Sequence, residues 1–196
     1  MRHSLVIPLF LLAACSTTTL DPLNDYESVQ PATMMSAPEA RRAAASGDAS
    51  VRGRYLVELL GCSTCHTGGA LVGQPRMDHW LAGSRIGIAY SNPLETDNPG
   101  VLFPSNLTSD KETGLGRWTD AEIAGAIRSG TGRHGRMAAP VMPWPAYARL
   151  SDPDVGAIVA YLRSLQPVAN RVPASVAPGT ATNEQYVHFG VYRSRR

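Results

Sequence analysis

Cys62-Ser63-Thr64-Cys65-His66 decides the reading of this chain. Two thiols three positions apart, with an imidazole directly after the second, form the C-x-x-C-H pattern of covalent haem attachment. The spacing has a chemical reason. Each thiol adds across one vinyl group, the two intervening residues let both sulfurs reach the edge of the macrocycle, and the adjoining histidine supplies an axial nitrogen to the iron. With three cysteines and five histidines in 196 residues, about 0.001 such patterns would arise by chance. A thioredoxin-like pair would want a strand before it and a helix after it, whereas a helical stretch precedes Cys62 and Gly68-Gly69 follows His66. A zinc site would need a further ligand, and no second closely spaced Cys or His pair exists. A disulfide between Cys62 and Cys65 would close too small a loop to contribute much.

Upstream, Asp48 or Ser50 can cap a helix running to about Gly61, with Val51, Tyr55, Leu56, Leu59 and Leu60 on one apolar face. Downstream, Thr119-Asp120-Ala121-Glu122 is a capping box, and Ile123, Ala126 and Ile127 continue its stripe to a stop at Gly130. Ser151-Asp152-Pro153-Asp154 opens a third helix, in which Val155, Ile158, Val159, Leu162 and Leu165 keep a helical period up to Pro167. Between Gly68 and Pro104 lies a long polar stretch without periodicity, which either wraps over the haem edge or moves. Three or four short helices without a run of alternating strands predict an all-α fold around one haem.

A six-coordinate iron needs a second axial ligand. Met137, Met142, His134 and His79 are candidates, and Met142 stands out. In Pro140-Val141-Met142-Pro143-Trp144-Pro145, both Met142 and Trp144 precede proline, which steers them towards extended backbone and makes the strap stiff. A thioether opposite an imidazole raises the reduction potential; a methionine that merely fills a gap in the core is the plainer reading. Arg128, Arg133, His134, Arg136 and Trp118 are candidates for holding the haem propionates, by guanidinium forks or an indole N–H, against the alternative of a solvated loop.

The stretch from Val51 to Val168 resembles the small c-type cytochrome domains of bacteria, particularly the modules in cytochrome subunits of membrane-associated alcohol and aldehyde dehydrogenases. The likeness rests on four segments: Arg52-Gly53-Arg54-Tyr55-Leu56, the run from Asn106-Leu107-Thr108 through Gly114-Leu115-Gly116-Arg117-Trp118, Met142-Pro143-Trp144, and Ala160-Tyr161-Leu162-Arg163-Ser164-Leu165. It implies a cytochrome c-like fold with His66 and Met142 as the axial pair. It also implies a crossing of the first and last helices near Gly53, whose missing side chain would admit Tyr161. Those subunits usually carry three modules, whereas this chain has a single C-x-x-C-H.

The remaining cysteine closes an export segment. Residues 1–14 combine a basic start with an apolar run of about ten, far short of the ~20 residues a membrane span needs. Leu12-Ala13-Ala14-Cys15 resembles a bacterial lipoprotein box, in which Cys15 is acylated and becomes the first mature residue; ordinary signal-peptidase cleavage is the alternative. Ser16 after the cysteine points towards the outer membrane within that resemblance. Residues 15–48 are rich in Thr, Ser, Ala and Pro and read as a flexible tether with a reach of roughly 30 Å. Residues 49–168 form the cytochrome domain, and 169–196 read as an irregular tail that Tyr186, Phe189 and Tyr192 could dock.

Composition narrows the function classes. The chain is 43% hydrophobic and 17% charged, with a net charge of +2 and no basic stripe, which argues against nucleic acid as a partner. Aromatics reach only 7%, a thin supply of large core side chains that a bulky cofactor would make up. The expected function is a lipid-anchored periplasmic mono-haem cytochrome, passing single electrons between redox proteins such as a dehydrogenase and a terminal oxidase, and not itself an enzyme. A haem enzyme or gas sensor with a displaceable sixth ligand, and a structural lipoprotein without haem, are the alternatives.

Overall fold

The computed structural model describes residues 48–92, 97–132, 135–136 and 141–189, the pair 135–136 by backbone alone. Helix α1 (Ala49–Leu59) starts at Asp48, whose carboxylate accepts from the Ser50 amide at 2.8 Å. Gly61, at φ 71°, turns the chain into the short helix α2 (Cys62–His66). Next come two 3-10 turns, Ala70–Val72 and Met77–His79, then strands β1 (Gly87–Ala89) and β2 (Val101–Leu102). Helix α3 (Asp120–Ser129) opens on the expected capping box, with Thr119 and Glu122 each satisfying the other's amide, and ends at Gly130. Strands β3 (Thr131–Gly132) and β4 (Gly135–Arg136) make a minimal antiparallel pair, and α4 (Trp144–Tyr147) is a single turn. Helix α5 (Asp152–Ser164) is capped by Ser151 and has Pro153 in its first turn, where a missing amide hydrogen costs nothing.

The core lies between α1 and α5. Leu56 and Val57 bury against Val155, Ile158, Val159 and Leu162, with Leu81, Leu115 and Ile123 closing the other sides. The two helices cross at Gly53. A Cβ there would lie 1.9 Å from the Ala157 carbonyl oxygen and 2.8 Å from the Tyr161 Cβ, so the anticipated Gly53–Tyr161 contact is present. The Tyr161 hydroxyl in turn accepts from the Trp80 indole at 3.1 Å.

The all-α expectation holds in part. The molecule is helix-rich but carries a small mixed sheet in the order β2-β1-β5, with β5 at Tyr186–His188. Strand β1 pairs antiparallel with β2, Ile88 opposite Leu102, and parallel with β5, Ile88 opposite Val187. Strands of two or three residues are too short to show alternation, and the β1–β5 pairing joins segments almost a hundred residues apart, which no local pattern reports. The described part of the segment after 168, read as an irregular tail, has little regular structure apart from β5 but is hydrogen-bonded to the frame at several points. Val176 exchanges two backbone hydrogen bonds with Val101, at 2.9 and 2.8 Å, and the Asn170 amide group donates to the Ala82 carbonyl at 2.7 Å. Phe189 is exposed, and Tyr192 lies outside the described residues, as do the export segment, Cys15 and the tether up to residue 47. Among the described residues no helix is long and apolar enough to cross a membrane.

Two carboxylates tie loops to this frame and give it a pH dependence. Asp110 accepts from the Thr113 hydroxyl and amide, both at 2.7 Å, and from the Glu112 amide at 3.1 Å, and these bonds, the hydroxyl's above all, hold its pKa below the usual carboxylate value. Asp154 is lowered in the same sense by the Ser151 hydroxyl and then by Arg52 of α1. Unfolded, both take up protons near pH ~4; folded, only below it. The unfolded state therefore binds more protons in acid, and the stability these groups contribute is present above about pH 4 and lost as pH falls through the depressed folded values. Acid titration followed by circular dichroism is expected to show stability declining below pH ~4, with a shallower decline in Asp110→Asn.

Candidate haem site

The site is built where α1 hands over to α2. On a five-residue helix, Cys62 and Cys65 are three apart and Cys62 and His66 four apart, so all three side chains share one face. Both cysteines are free thiols, and both are half-buried. Burial pushes the Cys62 thiol up to about 11 and raises Cys65 as well. A redox-active C-x-x-C has the opposite signature, a thiol lowered by a positive or helix-terminal environment, so the thioredoxin-like reading finds no support in this geometry. Nor do His, Cys, Asp and Glu side chains assemble into a metal cage among the described residues.

His66 is oriented by the chain that follows it. Its Nδ1 donates to the Ser105 carbonyl at 2.7 Å, which leaves Nε2 as the nitrogen with a lone pair for a metal. Burial lowers the imidazole pKa, keeping it neutral as a ligand must be. The acceptor is delivered by a loop that doubles back: the Gly83 amide donates to the His66 carbonyl at 2.8 Å, the Leu81 amide to the Thr67 hydroxyl at 3.1 Å, and the Leu107 amide to the Leu81 carbonyl at 2.8 Å. Thr67 and Ser84 are fully buried here, each hydrogen-bonded.

Asn106 locks this arrangement. Only 1% exposed, it donates to the Val168 carbonyl at 2.7 Å and to the Thr113 hydroxyl at 3.0 Å, and accepts from the Thr108 amide and hydroxyl at 2.9 and 2.7 Å. Sequence reasoning gave Asn106 no structural role and missed Ser105 entirely, because a carbonyl acceptor leaves no side-chain signal. Asn106→Ala is expected to lower stability by about 2 kcal/mol, since it strips partners from groups that stay buried. Denaturant unfolding of the haem-loaded protein checks this.

Met142 lies half-buried in a bend directly before α4, and its carbonyl accepts from the Trp144 amide at 2.8 Å. Tyr147, at the far end of that turn, is buried; desolvation, with Cys62 and Cys65 close by, pushes its phenol up to about 12. Of the rival ligands, Met137 and His134 fall outside the described residues. His79 sits instead in a surface cluster, its Nδ1 2.7 Å from Asp78 with Arg76 beside them, on the rim of a cleft of about 140 Å³ shared with Arg85. Among the propionate candidates, Arg128 is engaged by the Leu150 carbonyl at 2.9 Å and by Asp152 at 2.6 Å, while its Nε is buried with no partner among the described residues. Trp118 packs over Gly132, where a Cβ would come within 2.6 Å of its ring. Arg133 lies outside the described residues, and Arg136 is placed in β4 by its backbone only.

Two free thiols and a neutral imidazole with one nitrogen already bonded, all on one helix face, fit the donor set of haem c. Comparison with known proteins agrees. The cytochrome c subunit of the quinone-dependent alcohol dehydrogenase of Gluconobacter oxydans is 36% identical over 126 residues, covering 62% of this chain and 23% of that protein. The fructose dehydrogenase cytochrome subunit of Gluconobacter japonicus is 34% identical over 128 residues, covering 65% and 24%. The gluconate 2-dehydrogenase cytochrome c subunit of Pantoea cypripedii is 35% identical over 119 residues, covering 60% and 24%. The matched stretch thus spans less than a quarter of each of these relatives. The family model described as Cytochrome c matches residues 50–166, more than half of the chain and all but the first residue of the α1–α5 frame, so the protein belongs to the cytochrome c family and its cofactor is haem c.

Proposed function

We propose that this chain is a mono-haem electron carrier, with haem c attached through Cys62 and Cys65 and its iron held between His66 and Met142. When bound, the haem supplies one-electron exchange between the ferric and ferrous states. His66, oriented by the Ser105 carbonyl, and Met142, at the turn that follows it, would be the residues that hold the iron. With both of these residues bound, the iron would have no position open to a substrate, which suits electron transfer rather than catalysis.

The observation that carries this reading is the His66 Nδ1 bond to Ser105, because it orients an imidazole for iron beside two unbridged thiols. By analogy with relatives named as dehydrogenase cytochrome subunits, the donor is a dehydrogenase, and the acceptor is a further redox protein such as a terminal oxidase. Acylation at Cys15 would hold the domain on the periplasmic side of a bacterial membrane, with residues 16–48 as the tether. With weak net charge, partner choice rests on local complementarity around the haem edge.

Mass spectrometry of protein matured in a host that attaches haem c tests the first part. The expected result is one covalent tetrapyrrole per chain, lost in Cys62→Ser/Cys65→Ser. A Met–Fe charge-transfer band in the oxidised spectrum, with no CO binding to the native ferrous protein, is expected for the second. Ready CO binding would favour the gas-sensor alternative, and a bare polypeptide would overturn the proposal.

A further inference from the structure

The segment carrying Met142 is anchored at two points. At one end, Trp144 lies against Gly130, which takes φ 62°; a Cβ there would come 2.6 Å from the indole, so the close approach requires glycine. At the other end, the buried Tyr147 hydroxyl donates to the Leu60 carbonyl at 3.0 Å. That carbonyl belongs to the last turn of α1, where the helix offers no amide to accept from and an outside donor is required. Leu60 stands two residues ahead of Cys62, at the corner where Gly61 turns α1 into the haem-attachment helix. Between the two anchors, α4 is a single turn, too short to hold its own position.

We propose that Tyr147 is a positioning residue for the sixth ligand: its hydrogen bond to the Leu60 carbonyl fixes the Met142 strap to the corner that leads into Cys62 and keeps Met142 on the iron. The proposal rests on the reading of Met142 as axial ligand and goes beyond it by naming what holds that ligand in place. The phenol acts as a neutral hydrogen-bond donor and does not touch the reacting centre. Without it, α4 keeps only its Trp144 anchor, and the strap spends a larger fraction of time away from the iron. The loss of one hydrogen bond to a carbonyl changes such a population by about five- to tenfold.

The test uses the full-length, haem-loaded ferric protein titrated with imidazole at neutral pH, alongside the pH at which the Met–Fe band disappears. Tyr147→Phe keeps the ring and its packing. It is expected to bind imidazole about five- to tenfold more tightly than the parent and to lose the band at a lower pH. Tyr55→Phe, at an exposed position on α1, is expected to match the parent in both readouts. A purely structural role for Tyr147 would lower the denaturation midpoint without moving imidazole affinity in the folded protein. If Met142→Ala opens the iron to imidazole while Tyr147→Phe stays within twofold of the parent, the proposal is overturned and the ligand assignment stands. If Met142→Ala itself leaves imidazole affinity unchanged, the ligand assignment fails and takes the proposal with it.

Discussion

Met142→Ala is expected to raise the imidazole affinity of the ferric protein by about 100-fold or more, to abolish the Met–Fe band, to open the ferrous iron to CO, and to lower the reduction potential. A ligand tethered on the same chain competes with any added one, and the apparent affinity of the added ligand scales with the fraction of molecules in which the tethered one is off. On the proposed ligation, a hundredfold effect corresponds to an off fraction of about 1% in the parent, which removal of the thioether would raise to the whole population. The potential falls because a thioether opposite an imidazole favours the ferrous state. Imidazole titration and potentiometry read the two effects independently. Unchanged values in both would remove Met142 from the iron and return Met137, His134 and His79 to consideration.

Gly53→Ala is expected to have the largest effect on stability, a loss above about 3 kcal/mol. The added carbon would sit 1.9 Å from the Ala157 carbonyl oxygen, well inside contact distance, and that atom belongs to the backbone of α5 and cannot rotate away. Relief requires α1 and α5 to separate along the face where Leu56, Val57, Ile158 and Leu162 are packed, so one methyl group costs the close fit of the main helix pair. Guanidinium unfolding of the haem-loaded protein measures this, with Gly125→Ala as a comparison, since a Cβ at Gly125 meets nothing within 4 Å and improves helix propensity. Equal midpoints for the two variants would mean that the helices cross elsewhere.

Helices α1, α3 and α5 were legible because their signals are local, whereas Trp144, expected to be extended before Pro145, opens the single turn α4 instead. Asp48, the Thr119–Glu122 box and Ser151 each cap the helix that the apolar period announces, within a residue or so of the observed start. The thiol–imidazole spacing was equally plain, since Cys62, Cys65 and His66 need only one turn of chain to come together. The sheet was not legible, so the all-α reading held only in part. Three residues at Gly87 and three at Tyr186 carry no period, and what pairs them is the return of the C-terminal segment past Val101 and Ala82. Arg128 shows the same limit at a single residue: its type suits a propionate, but Asp152, brought near by the fold, already engages it.

Residue identity and short-range spacing determined the haem-attachment motif and where α1, α3 and α5 begin and end, while the close approach at Gly53 was implied by the family resemblance. The tertiary structure alone decided which carbonyl orients His66, which residues bury around Asn106, where the C-terminal segment lies, and how the Met142 turn is pinned to Leu60. The division follows from range. Caps and motifs are satisfied within a few bonds of the residues that encode them, whereas a backbone acceptor has no identity of its own and becomes specific only when folding sets a distant donor against it.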